Sequence, residues 1–359
     1  MIDAVPTAKT EGLSGIAAQV VPEEAILEVK NLGVAFRSEG RLTQVVHDVS
    51  FTVKRGEVLA LVGESGSGKS VTSLALLRLT QPAPRTVLTG SALFRGRDGV
   101  TRDLLTLSEA DMQGMRGNEI SMVFQEPMTS LNPVQPVGMQ VAEAIIYHRG
   151  MARRSALEEA ERLLELVGIS EARRRLSAYP HHLSGGMRQR VMIAMALACD
   201  PSVLIADEPT TALDVTVQAQ ILELLQELRA RTGTAIVFIT HNLGVVAEIA
   251  DRVMVMYAGR IVEQGTVMSV LKHAVMPYTR RLLRSVPRLE IPDRSAAALE
   301  TIPGSVPDPA RLPSGCSFHP RCDHAQRTLC DVIVPQIEEV SANHLVRCHR
   351  WRSVAEGEA

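Results

Sequence analysis

An eight-residue glycine-rich segment, Gly63–Ser70, constrains this chain more than any other part of it. It reads Gly-Glu-Ser-Gly-Ser-Gly-Lys-Ser and follows the run 57–62, which is typical of a buried strand. The run 71–79 comes next and is typical of a helix. Backbone N–H groups of such a loop, and of the helix that follows it, converge on phosphate oxygens. The sequence therefore predicts a phosphate-binding loop between a strand and a helix.

Two side chains of this segment indicate which phosphates it binds. Lys69 can reach the β- and γ-phosphates of a nucleoside triphosphate, and the Ser70 hydroxyl can bind Mg²⁺. The alternative is a Gly/Ser-rich turn without a ligand, which the flanking strand and helix make rare. We therefore expect the whole segment to contribute to a nucleotide site, namely Gly63, Glu64, Ser65, Gly66, Ser67, Gly68, Lys69 and Ser70.

Two adjacent carboxylates lie far downstream of the loop. Asp207 and Glu208 follow the apolar run 203–206, which reads as another buried strand. At the end of such a strand Asp207 is well placed to hold the magnesium shell, and Glu208 to act as general base towards an attacking water. Two acidic residues also commonly just end a strand, so this pair by itself is weak support for a catalytic site.

Three further segments belong to the same pattern. The tetrapeptide Leu-Ser-Gly-Gly, residues 183–186, opens a helix and offers a serine hydroxyl beside an anion-ready N-terminus. The segment 211–214 follows the carboxylates, and His241 follows the apolar run 235–240. A lone histidine after a strand is usually structural. Its order after the carboxylates favours a functional role here.

The alternation of short apolar runs with helical runs predicts an α/β fold. Continuous apolar strands suit a mostly parallel sheet that is covered on both faces. We expect a flexible N-terminal tail over residues 1–25 and an ATPase domain over residues 26–285, with a helical insert at about 136–184. Many prolines follow residue 277, and we expect a small cysteine-rich extension over residues 286–359.

In their order over about 240 residues, these segments resemble the nucleotide-binding subunits of ATP-binding-cassette (ABC) transporters. The Leu-Ser-Gly-Gly tetrapeptide is the most specific part of the resemblance. The resemblance implies an ABC-type P-loop fold with a helical subdomain, ATP and Mg²⁺ as cofactors, and ATP hydrolysis coupled to transport.

The resemblance also implies roles for single residues. Gln125 would contact magnesium and sense the γ-phosphate, so that Ser70, Gln125 and Asp207 form the expected magnesium set. Phe36 matches the aromatic residue that stacks on adenine, although its apolar context also permits a place in the core. His241 matches the histidine that contacts the γ-phosphate and, with Glu208, completes the expected catalytic set.

The same resemblance implies a head-to-tail pair of ATP-binding subunits, identical or related. Each ATP would lie between the glycine loop of one subunit and Ser184, Gly185 and Gly186 of the other, with Asp214 at the contact between them. ATP binding would close the pair, and hydrolysis at Glu208 would open it.

Longer matches place the chain in one branch of the family. Residues 125–133, 187–194 and 277–279 resemble dipeptide and oligopeptide importers. Nickel and glutathione importers share this branch and remain alternatives. The expected partners are two transmembrane permeases and, indirectly, an extracytoplasmic substrate-binding protein. Because the chain has no apolar run long enough for a span and no secretory-type N-terminus, we expect a peripheral protein on the cytoplasmic face of the inner membrane.

Four cysteines crowd the C-terminal part of the chain, with five, seven and seventeen residues between them: Cys316, Cys322, Cys330 and Cys348. Four thiolates are the ligands that an iron–sulfur cluster needs, and similar tails in peptide importers imply a 4Fe-4S cluster. Zinc is the rival, with nearby histidines as further ligands, and a site without metal is the third possibility. The fifth cysteine, Cys199, lies on an apolar helical run and is most simply a core residue.

A second functional class combines this type of ATPase with cysteine-bound metal, namely DNA-repair and other non-transport cassette proteins. Such proteins need a nucleic-acid surface. The chain has a net charge of −2, and residues 286–359 contain eight arginines against ten acidic residues. That segment has one tryptophan, one phenylalanine and no tyrosine for stacking on bases. We therefore expect no nucleic-acid partner.

Overall fold

The computed structural model describes residues 21–22, 24–126, 130–211, 213–285 and 301–357. Most of the expected tail 1–25, the first part of the extension and residues 127–129 of the importer-like segment lie outside these ranges. The strands are β1 (Ala25–Ser38), β2 (Arg41–Lys54), β3 (Val58–Val62), β4 (Thr86–Arg95), β5 (Thr101–Asp103), β6 (Ile120–Val123), β7 (Val203–Asp207), β8 (Ala235–Thr240), β9 (Arg252–Tyr257), β10 (Arg260–Thr266), β11 (Glu338–Ser341) and β12 (His344–Val346).

The helices follow the same chain order. They are α1 (Lys69–Leu76), α2 (Glu109–Met115), α3 (Val137–Arg149), α4 (Arg153–Leu166), α5 (Ala172–Arg175), α6 (Gly185–Leu197), α7 (Val215–Thr232), α8 (Leu243–Ile249), α9 (Val267–Lys272), α10 (Pro277–Arg284) and α11 (Trp351–Glu356). Short 3₁₀ turns occupy Pro180–His182, Pro309–Arg311 and His319–Arg321.

A sheet with the strand order β11-β12-β10-β9-β3-β8-β7-β6 forms the centre of the fold. From β9 to β6 all neighbours are parallel. Every residue of β3, β7 and β8 is buried, as expected for parallel strands covered on both faces. The α/β fold class that the apolar runs predict is therefore confirmed.

A second, four-stranded sheet with the order β2-β1-β4-β5 is antiparallel throughout. The expectation of one mostly parallel sheet did not include it. Its strands mix buried and exposed residues along their length, so they lack the continuous apolar runs that identify the central strands. The buried side chains of β1, β2 and β4 share one core cluster with α1 and with the central strands β3, β7 and β8.

Helices α3, α4 and α5 lie inside the region predicted as a helical insert, and α6 begins just after it. Their apolar side chains share a core with α7 and with one face of the central sheet. Cys199, which follows α6, is 1% exposed and belongs to the buried core, as its apolar context predicts.

Residues 301–357 add to the central sheet and to its core. The β11–β12 hairpin extends the sheet because β12 pairs antiparallel with β10. Phe318 packs against Tyr257 and Tyr278 of the preceding part of the chain, with ring centroids 5.2 and 5.3 Å apart. By itself this segment has too few apolar residues for a core of its own. Some of them, among them Phe318 and Val346, are buried in a core shared with β9, β10 and α10, whereas Val332 and Ile333 are exposed.

Within the described ranges, none of the helices combines the length and the apolar character that crossing a membrane requires.

The shared core predicts a stability effect. Phe318 is 1% exposed, so Phe318→Ala should lower the free energy of unfolding by about 3–5 kcal/mol, as is usual for truncation of a buried phenylalanine. Val332→Ala is a matched control in the same segment, because Val332 is 64% exposed. Thermal unfolding of both variants measures the difference. Equal unfolding temperatures for the two variants would contradict a shared core.

Candidate functional site

The segment Gly63–Ser70 forms a loop directly after β3, and α1 begins at Lys69. A Cβ at Gly63 would lie 2.2 Å from the carbonyl oxygen of Met256, so only glycine fits there. Gly68 has φ of 106°, which L side chains rarely adopt. Ser65 and Gly66 are exposed at the outer end of the loop. The predicted strand–loop–helix context is therefore present.

Lys69 is folded back into this loop. Its Nζ donates to the carbonyl oxygens of Gly63, at 2.7 Å, and Glu64, at 3.0 Å. Burial lowers the pKa of the Lys69 ammonium. The Ser67 hydroxyl is also buried and has no hydrogen-bond partner among the described residues. Because buried polar groups are normally satisfied, this hydroxyl is a free donor for a phosphate oxygen inside the loop.

Asp207 ends β7 next to the first turn of α1. Burial, together with the neighbouring Glu208 charge, raises the pKa of Asp207, and the adjacent Ser70 hydroxyl opposes that shift. The Oδ1 atom of Asp207 is buried without a partner among the described residues. A buried, unpaired carboxylate oxygen beside a hydroxyl is a donor set that suits Mg²⁺. Ser70 and Asp207 of the predicted magnesium set are thus brought together.

Three polar side chains contact one carboxylate oxygen of Glu208. Oε2 accepts hydrogen bonds from Thr211 Oγ1 at 2.8 Å and from Gln125 Nε2 at 3.2 Å, and it lies 3.3 Å from His241 Nδ1. Glu208 itself has φ of 47°, an uncommon left-handed conformation for a residue with a side chain. Such conformations concentrate at functional sites, where the surrounding structure holds them.

The parallel order of the central strands explains why these residues meet. Gln125 follows β6, Asp207 and Glu208 lie at the end of β7, and His241 follows β8. These strands are consecutive neighbours, and the glycine loop leaves β3 on the other side of β8. Because the carboxyl ends of parallel strands meet at one sheet edge, a ligand site forms there.

The Leu-Ser-Gly-Gly segment lies at the start of α6. Ser184 caps this helix, its hydroxyl accepting from the Met187 N–H at 3.4 Å, and Ser184 and Gly185 are exposed. Asp214 caps α7 by accepting from the Val217 N–H at 2.9 Å and is exposed as well. Both segments are therefore accessible to a second copy of the chain. Their roles in nucleotide binding and at the subunit contact stay predictions.

Phe36 lies near the end of β1, where it pairs with Thr43 and Thr86 of the two neighbouring strands. Its ring is half-buried and packs against the core cluster below the antiparallel sheet. The residue is thus partly in the core and partly accessible, so this position fits both interpretations from the sequence, adenine stacking and a place in the core. The role in adenine stacking stays a prediction.

The sequence did not single out two residues that contact this site. Thr211 belongs to a recognised segment, but only the fold shows that its hydroxyl contacts Glu208. Arg321 binds the Glu64 carboxylate from 257 positions away. Thr211 is close to Glu208 in the sequence, so a local pattern can suggest their contact. Nothing in the sequence near Arg321 or Glu64 signals that these two residues meet.

The four C-terminal cysteines line one small pocket, together with three histidines and several other side chains. All four are free thiols. Burial raises the pKa of Cys316, and it raises the pKa of Cys322 to about 11 and of Cys348 to about 12. The four cysteines therefore line the same pocket, and their role as metal ligands stays a prediction.

The pocket does not have the arrangement of a single-ion site. Across the described ranges, no three His, Cys, Asp or Glu side chains are grouped closely enough to hold one metal ion. Two of the histidines are used otherwise: His319 Nδ1 lies 3.0 Å from the Cys316 carbonyl oxygen, and His349 Nε2 lies 2.9 Å from that of Ile333. Among the described residues the four thiols thus share a pocket, but they do not form a group that could hold a metal ion.

Two known families match the chain. The family described as ABC transporter matches residues 46–211, which include the glycine loop, Gln125, the Leu-Ser-Gly-Gly segment and Glu208. The family described as Oligopeptide/dipeptide transporter, C-terminal region, matches residues 262–330, which include three of the four cysteines.

Known proteins that resemble the chain over most of its length carry related names. An oligopeptide transport ATP-binding protein, OppD, of Salmonella typhimurium is 50% identical over 92% of this chain and 95% of its own length. A dipeptide transport ATP-binding protein, DppD, of Bacillus subtilis is 48% identical over 90% of this chain and 94% of its own length.

A solved structure supports the same assignment. The dimeric, post-hydrolysis state of the ATP-binding cassette MJ0796, bound to ADP and Pi, covers 67% of this chain and 98% of its own, with 27% identity and a TM-score of 0.59. The resemblance that the motifs indicated is confirmed, and the DNA-repair alternative is not favoured. The chain belongs to the ATP-binding subunits of ABC transporters, in the branch that carries the oligopeptide/dipeptide transporter C-terminal region.

Proposed function

We propose that this chain hydrolyses ATP at Glu208, in a head-to-tail pair of ATP-binding subunits, to drive the import of peptides through two permeases. The convergence of Gln125, Thr211 and His241 on Glu208 Oε2, beside the phosphate loop, carries the proposal. Peptides are favoured over nickel or glutathione because the relatives are named for oligopeptide and dipeptide transport.

In this proposal Glu208 accepts a proton from the attacking water. Thr211 and Gln125 donate to the carboxylate and hold it in one orientation, and His241 stands beside it, 57% exposed, towards the γ-phosphate. Lys69 leaves its two carbonyl partners to bind phosphate oxygens. Ser70, Gln125 and Asp207 would hold Mg²⁺, which when bound neutralises charge on the phosphates.

A second ATP-binding subunit completes the site. The exposed Ser184 and Gly185, at the start of α6, would bind the γ-phosphate of an ATP seated in the partner's loop. Asp214 would lie at the contact between the subunits. The exposed positions of these residues support this arrangement, as does the dimeric state of the MJ0796 cassette.

In this proposal the chain lies at the cytoplasmic face of the membrane and contacts the permeases there. A groove of about 300 Å³ lies beside Gln125 and suits a short permease helix. It is lined mainly by apolar side chains, including Leu77, Met122, Phe124 and Met195. Two residues of its lining are exposed, Phe124 at 39% and Leu79 at 41%.

We further propose that Cys316, Cys322, Cys330 and Cys348 hold a 4Fe-4S cluster. A cluster binds one thiolate at each of four irons, whereas zinc draws its ligands around a single ion. Four free thiols that line one pocket support this proposal, since a cluster takes four thiolate ligands. We also propose that the chain divides into an N-terminal tail, residues 1–25, an ATPase domain, residues 26–285, and a C-terminal extension, residues 286–359.

Glu208→Gln tests the catalytic assignment. Steady-state ATP turnover should fall by roughly 10²–10⁴-fold, because the water loses its base. ATP affinity should remain near that of the wild type, whereas Lys69→Ala should weaken binding itself. Glu223→Gln, at an exposed position on α7, is the matched control and should keep full activity. Near-normal turnover of Glu208→Gln would contradict the mechanism.

Permease docking can be tested by cross-linking within the assembled transporter. Leu79→Cys should cross-link to a cysteine placed on a cytoplasmic permease loop, because Leu79 lines the groove and is 41% exposed. The yield should change between ATP-bound and nucleotide-free states. Val100→Cys, at an exposed position on the β4–β5 turn, is the control. Equal yields from the two positions would contradict docking at the groove.

The metal centre can be tested on protein purified without oxygen. We expect about four irons and four sulfides per chain and a broad absorbance near about 400 nm. Cys322→Ser should lose both, whereas Cys199→Ala should keep them because Cys199 lies in the core after α6. One zinc per chain, without iron or sulfide, would contradict the cluster.

A further inference from the structure

An arginine of the C-terminal extension binds the phosphate loop directly. Arg321 Nη1 donates to Glu64 Oε1 at 3.1 Å, and Nη2 donates to Glu64 Oε2 at 3.0 Å. The Arg321 side chain is 6% exposed and that of Glu64 is 27% exposed. A bidentate pair of this kind fixes the orientation of both groups as well as attracting them.

Arg321 makes several further contacts besides its pair with Glu64. Its Nε donates to the Pro303 carbonyl oxygen at 2.8 Å, and its Nη2 donates to that of Ile302 at 3.2 Å. Its guanidinium carbon lies 5.8 Å from the ring centroid of Tyr257, whose hydroxyl is 3.3 Å from Nη1. The extension therefore presents a cation in a position set by its own backbone.

Glu64 is bound on its main chain as well. Its N–H donates to the Tyr278 hydroxyl at 2.9 Å, and its carbonyl oxygen accepts from Lys69 Nζ at 3.0 Å. The residue is thus tied to the lysine that is expected to bind phosphate. A carboxylate in a loop that binds a triphosphate repels the ligand, unless a cation compensates the charge.

We propose that Arg321 is a positioning residue of the nucleotide site, which orients Glu64 and neutralises its charge so that the loop accepts ATP. The inference rests on the proposed function, because it concerns the same phosphate loop. It makes the extension part of the nucleotide site of its own chain. Cys322 follows Arg321 directly, so the thiol pocket and the phosphate loop are joined by adjacent residues.

A purely structural role for Arg321 predicts a different result. If Arg321 only stabilised the extension, its loss would have the same effect whether or not Glu64 carried a charge. If it neutralises Glu64, removing the carboxylate should abolish the effect. A double-mutant cycle separates the two roles, because it measures the coupling between a pair of residues and not the effect of either one.

The experiment measures the affinity of the full-length chain for MgATP in the Glu208→Gln background, in which nucleotide is not consumed. Arg321→Gln should weaken binding roughly tenfold, within the usual range for coupled sites. The variant that carries both Arg321→Gln and Glu64→Gln should bind MgATP with an affinity within about twofold of the variant that carries Glu64→Gln alone. Arg327→Gln is the control, since Arg327 is exposed in the same extension and should bind as the parent does.

With Glu208 intact, the same Arg321→Gln change should raise KM for ATP about tenfold and alter kcat little. Unchanged affinity in Arg321→Gln would overturn the inference. A loss of the same size with and without the Glu64 carboxylate would overturn it too, because the role would then be structural. Failure of the proposed function is distinguishable, because the wild-type chain itself would then not hydrolyse ATP.

Discussion

The parallel pairing of β3, β8, β7 and β6 is the constraint on which the rest of the structure depends. Because these strands run in one direction, their carboxyl ends share one edge of the sheet. Residues that are far apart in the chain, such as Gln125, Glu208 and His241, therefore meet at a single carboxylate oxygen. A site assembled from strand ends is precise because each strand is buried on both faces and cannot shift independently.

The other end of the same sheet explains how the C-terminal extension is ordered. An edge strand leaves backbone groups unpaired, and β12 satisfies those of β10 while β11 continues the ladder. Phe318 then completes an aromatic cluster with Tyr257 and Tyr278. One set of contacts thus buries the extension and brings Arg321 to the phosphate loop. Stability and the nucleotide site are connected through the same segment.

How much could be predicted from the sequence differs between the parts of the site. The loop Gly63–Ser70 and the two carboxylates could be predicted, because each is a contiguous pattern with a local physical cause, such as backbone conformation or the end of a strand. The antiparallel sheet could not be predicted, since half-exposed strands carry a weaker periodic signal than buried ones. The four cysteines and the histidines near them indicated a shared site, but their spacing could not show that His319 and His349 lie against backbone carbonyl oxygens.

The sequence by itself determined the fold class, the family and the order of the nucleotide motifs, because those depend on local backbone chemistry written in contiguous residues. Only the tertiary structure decided that Thr211, Gln125 and His241 share Glu208 Oε2, and that Arg321 binds Glu64. Those contacts join strand ends and chain segments of large sequence separation. Their geometry is set by sheet order and by packing, to which no short pattern in the sequence corresponds.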